Sequence, residues 1–93
     1  MIYRVILPDD FDEYAWEVEK KGWFDSAYVE FDGLKIRLSI YDQTRLKQEV
    51  EYAISSARLF FEKNILVVST VSRDSIEASV KFLYESGELG RWR

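Results

Sequence analysis

The chain has 93 residues and contains neither histidine nor cysteine. The commonest general base, the commonest metal ligand and the soft nucleophile are therefore missing. Catalysis would have to rest on carboxylates, tyrosine, lysine, arginine or serine. Carboxylates are the most concentrated of these. The stretch from Asp9 to Asp32, DDFDEYAWEVEKKGWFDSAYVEFD, holds nine of the 17 acids (Asp9, Asp10, Asp12, Glu13, Glu17, Glu19, Asp25, Glu30 and Asp32) against Lys20 and Lys21, a net charge of −7. A pair of carboxylates can drive glycoside hydrolysis. Asp12 and Glu13, however, are already accounted for as helix-start residues, and no acid here carries the signature of a catalytic pocket. Asp9-Asp10-x-Asp12 lacks the glycine and the terminal glutamate of a calcium loop. No glycine-rich phosphate cradle is present. The residues point to a protein that is not an enzyme and carries no cofactor and no metal.

The same acidic stretch also holds seven of the fifteen aromatic residues, while the rest of the chain sums to +3. Acids beside tryptophan suit a basic partner. Carboxylates steer a cationic surface into contact, and tryptophan is enriched among residues that anchor interfaces. The alternative is a solvated helix face whose acids serve solubility. The overall charge of −4 argues against nucleic acid as a direct ligand. Tyr28, Lys35 and Arg37 give only a faint echo of an RNA-binding sheet.

The elements that position these residues follow from pattern. Ile2–Leu7 reads as a central strand, apolar on both faces, ended by Pro8. Asp10–Lys21 reads as one helix, with Asp10 and Glu13 as a capping box and Phe11, Tyr14, Ala15 and Val18 as its buried stripe. Trp16 falls about 140° from Phe11 on such a helix, among the acids. Gly22 suits a left-handed stop. Ser26–Asp32 and Leu34–Tyr41 form a hairpin around Asp32-Gly33, which fits a type I′ turn. That turn pairs Phe31 with Leu34, Val29 with Ile36 and Ala27 with Leu38 on the apolar face. Glu30 then pairs with Lys35, and Tyr28 with Arg37, on the other.

Asp42 caps a helix that runs to about Leu59, with Leu46, Val50, Ala53, Ile54 and Ala57 as its stripe. Ile65–Val71 is a strand. Ser72 caps Arg73–Ser86, a helix with Ile76, Val80, Leu83 and Tyr84 inward and Gly87 as its stop. Residues 86–93 have no pattern and are expected to form a flexible tail, with no role assigned to Gly90–Arg93. The order predicts one α+β domain over residues 1–93. Its expected arrangement is a ferredoxin-like βαββαβ unit, a four-stranded antiparallel sheet of order 4-1-3-2, with an added C-terminal helix. The longest apolar run, Ile65–Val68, is too short to span a membrane, and the N-terminus lacks a signal-peptide pattern. A cytoplasmic protein is expected.

PDDFDEYAWEVEKKGWF, YVEFDG and FFEKNILVV give the chain a layout that resembles the small acidic immunity proteins of bacterial polymorphic-toxin systems, including contact-dependent growth inhibition. The resemblance implies a non-catalytic cytoplasmic protein that binds the C-terminal domain of a delivered toxin, often a nuclease with a basic groove. Together with the charge pattern it nominates Asp12, Glu13, Trp16, Glu17 and Glu19, with Trp23 and Asp25, as the partner-binding surface. A regulatory or small-ligand-binding domain on a ferredoxin-like sheet is the competing expectation.

Overall fold

The hairpin forms as its turn chemistry dictates. In the computed structural model, which describes residues 3–92, Asp32 and Gly33 both adopt positive φ, 53° and 77°, as a type I′ turn requires. Strands β2 (Trp23–Phe31) and β3 (Leu34–Asp42) flank it, and all five expected cross-strand pairs are in register. Both strands run further than expected, with an irregularity between Phe24 and Ala27. On one face Ala27, Val29, Ile36, Leu38 and Ile40 are buried and form the centre of the core.

Strand β1 (Tyr3–Ile6) pairs antiparallel with the second half of β2; Ile2, expected to begin it, lies outside the described residues. Strand β4 (Ile65–Val68) pairs parallel with Ser39–Asp42 of β3. The sheet is therefore mixed, with order β1-β2-β3-β4. The chain is α+β, but the expected ferredoxin-like order and fully antiparallel sheet are not formed, and β1 is an edge strand. The reason lies in residues 7–22. A ferredoxin-like unit needs a helix there that carries the chain back along the sheet, so that β2 runs parallel to β1 with room for β3 between them.

Instead Phe11–Glu13 form a 3-10 turn and only Ala15–Lys21 form an α-helix, α1. Seven residues rise about 10 Å, against about 30 Å for a nine-residue strand. The chain reverses and β2 returns directly beside β1. Tyr14, at φ −127°, is the break in the expected helix, and Asp10 makes no side-chain cap. The buried stripe survives this break: Phe11 and Val18 are buried, with Tyr14 and Ala15 packed beside them.

Two further helices complete the fold. Helix α2 (Gln43–Ala57) is capped by Asp42, whose carboxylate accepts from Arg45 N at 2.7 Å, and helix α3 (Arg73–Glu85) is capped by Ser72. Ile76 and Val80 of α3 join Phe11 and Val18 in the core, so α1 and α3 cover the same face of the sheet. Helix α2 lies on the other face. It has no buried residue, it touches β3 and β4, and its Arg45 guanidinium stacks over Trp23, the register partner of Tyr41. Alternation places Trp23 and Tyr41 opposite the face of Ile40. The sheet is thus sandwiched between helical layers. The C-terminal segment also differs from the expected loose tail. Glu88–Arg91 form a 3-10 turn, Leu89 is fully buried and Trp92 packs against the core.

The junction of α1 and α2 explains Gly22. Its φ is +72°, its carbonyl accepts from Asp42 N at 2.9 Å, and a Cβ there would collide with the Asp42 carboxylate. Gly22→Ala combines a left-handed backbone penalty with displacement of the α2 cap. It is expected to lower stability by about 2 kcal/mol, read as a reduced midpoint in urea unfolding.

Candidate functional site

The acidic residues divide into two groups once folded. Asp12 and Glu13 lie in the 3-10 turn, and Trp16, Glu17 and Glu19 in α1; all five are exposed. These five are brought together on one short segment. Trp16 is 66% exposed. Its i+3 and i+4 neighbours on α1 are Glu19 and Lys20. Because Lys20 and Lys21 balance Glu17 and Glu19, the acidic excess of the region comes from Asp9, Asp10, Asp12 and Glu13.

Asp12 is partly engaged: its carboxylate accepts from Arg73 Nε at 3.2 Å, an exposed ion pair that ties the turn to α3. Such pairs contribute little stability. Tyr14 reports the local field. Its hydroxyl is pushed above the usual tyrosine value of 10.0 by partial burial and then by the Asp10 carboxylate.

Trp23 and Asp25 do not join this group. Trp23 is half-buried in β2 beneath Arg45, 5.6 Å from guanidinium carbon to ring centre, on the sheet face opposite the core. Arg45 is itself held by Glu49 at 2.7 Å and by the carbonyl of Lys21 at 3.2 Å. Trp23 therefore anchors α2. Asp25 is half-buried at the irregularity in β2. Of the seven nominated residues, Asp12, Glu13, Trp16, Glu17 and Glu19 are exposed, and Trp23 and Asp25 are half-buried.

Two other features have no counterpart in the sequence reading. Tyr52, Leu59 and Phe61 are 73%, 61% and 82% exposed, along α2 and the loop after it. In that loop Glu62 accepts a hydrogen bond from the hydroxyl of Tyr41, which is buried. Burial, then that bond, then the negative charges of Glu62 and Glu49 hold Tyr41 well above the ordinary tyrosine range. Lys63 of the same loop meets Lys35 and Arg37 at one cavity. A basic residue 26 positions beyond Arg37 gives no local signal; the parallel crossover brings it there.

Among the described residues no cluster of acidic side chains is arranged to hold a metal ion, and no helix is long and apolar enough to cross a membrane. No protein-family model matches the chain, and neither a curated protein nor a solved structure matches it.

Proposed function

We propose that the chain is a non-enzymatic immunity protein that binds and neutralises a cognate bacterial toxin domain in the cytoplasm. The observation that carries this reading is Trp16, two-thirds exposed on a short helix that follows four acids. Trp16 is not among the residues of the core. In a complex it offers a large rigid apolar anchor. Asp9, Asp10, Glu13 and Asp12 add a field that favours a basic partner, and a nuclease groove is basic because its substrate is a polyanion. The immunity protein would cover that groove or a surface beside it.

The competing reading, a regulatory or small-ligand-binding domain, would use the strand faces or a dimer edge and not the acidic segment; the ferredoxin-like order expected for it is not the one formed.

Charge reversal tests the electrostatic half of the proposal. A Glu13→Lys, Glu17→Lys double variant changes two exposed groups and leaves the core intact. Its association rate with the toxin domain at low salt is expected to fall by about tenfold or more, with a flatter dependence on ionic strength. Stopped-flow association measures both. An unchanged rate removes the acids from recognition.

A further inference from the structure

Strand β3 has nine residues and β4 only four, paired with Ser39–Asp42. Residues 34–38 therefore have no strand beside them on that side. Asn64 enforces the gap. It sits at φ 56°, its carbonyl accepts from Ser39 N at 3.0 Å, and its side-chain Nδ2 donates to the carbonyl of Arg37 at 3.2 Å. The loop turns away just before β4 begins.

A cavity of about 250 Å³ occupies the gap, lined by Lys35 and Arg37 of β3, Glu62, Lys63 and Asn64 of the loop, and Trp92 of the C-terminal turn. Among the described residues Lys35, Arg37 and Lys63 form no ion pair. The one acid on the wall, Glu62, accepts from the Tyr41 hydroxyl and keeps its negative charge. Lys35 lines the opening, and its ammonium rests over the Tyr28 ring of β2, 4.7 Å from the ring centre. Three cations without an ion pair and one carboxylate line the opening, a local charge of +2 on a chain of net charge −4, and that field attracts an anion.

We propose that this cavity binds a phosphate dianion, free or as the monoester of a small molecule, through Arg37, Lys35 and Lys63. Phosphate carries close to two negative charges near neutral pH and offers several strong acceptor oxygens, a better match to three cations than a carboxylate. Arg37 supplies the planar fork that suits phosphate, and the two lysines act as point charges. The cavity is smaller than sites for whole drug-sized ligands, so an attached group would extend past Trp92, which forms an apolar wall.

The experiment is a nuclear magnetic resonance titration of the full chain with inorganic phosphate, with phenyl phosphate and with acetate, at constant ionic strength held by sodium chloride. Saturable shifts are expected at residues 35–37, at 63 and 64 and at the Trp92 indole, with inorganic phosphate or its ester and not with acetate. Tighter binding of phenyl phosphate identifies the ester as the natural form, and equal binding the free ion. Arg37→Ala and Lys63→Ala are each expected to raise the Kd by about tenfold or more, with the melting temperature unchanged because both side chains are exposed. Absence of saturation at tens of millimolar phosphate, equal shifts with acetate, or variants that bind as the parent does would each overturn the assignment. Saturable binding of single-stranded RNA without any response to phosphate would overturn it too.

Discussion

Trp16→Ala is expected to weaken the complex with the toxin domain by about thirtyfold or more, while the melting temperature stays within about 3 °C of the parent. The first figure is the fold-change of an interface anchor that contributes about 2 kcal/mol. The second follows from exposure. Trp16 is 66% exposed and takes no part in the core, and surface changes of this kind alter stability by about half a kcal/mol. Calorimetric titration and thermal unfolding of the same preparation separate the two effects. Phe61→Ala is the matched control, since Phe61 is more exposed still and lies in the loop after α2. Loss of affinity in Phe61→Ala with full affinity in Trp16→Ala would move the contact to that loop.

Leu89→Ala has the opposite signature. Leu89 is fully buried, on the 3-10 turn Glu88–Arg91. It joins a core shared by the sheet, α1 and α3. Truncating a buried leucine removes transfer free energy and leaves a cavity, at a cost of about 3 kcal/mol. In a domain of this size the melting temperature should fall by about 15 °C. Arg91→Ala, exposed on the same turn, should leave it nearly unchanged. A loss below about 0.5 kcal/mol for Leu89→Ala would mean that the terminal turn is not docked in solution.

These two residues also mark where the sequence was legible and where it was not. The hairpin could be read residue by residue because Asp32-Gly33 sets its register locally. Asp42 and Ser72 could be read as caps for the same reason: the bond spans three residues. The strand order could not, because it depends on whether residues 7–22 carry the chain back or merely turn it. The i, i+3, i+4, i+7 spacing of Phe11, Tyr14, Ala15 and Val18 is met equally by a continuous helix and by a 3-10 turn followed by a short one.

Leu89 and Trp92 escaped notice because a four-residue turn that follows Gly87 and contains Gly90 has no periodicity to read. At the candidate site, the exposure of Trp16 followed from its angle off the apolar stripe. Trp23 did not follow. Consecutive residues of a strand face opposite ways, so Phe24 enters the core while Trp23 lies under Arg45 on the far face. Lys63 was invisible beside Lys35 and Arg37 because only the α2 crossover joins them.

Neutralisation of a toxin domain by binding is what we propose for this chain. The most direct measurement expresses that domain in cells with and without the chain, and purifies the domain through a tag on it. Restored growth and a stoichiometric complex whose affinity falls as salt rises are expected. Trp16→Ala should fail on both counts. Growth that remains arrested although the chain is folded and abundant, with no complex recovered at low salt, would contradict it.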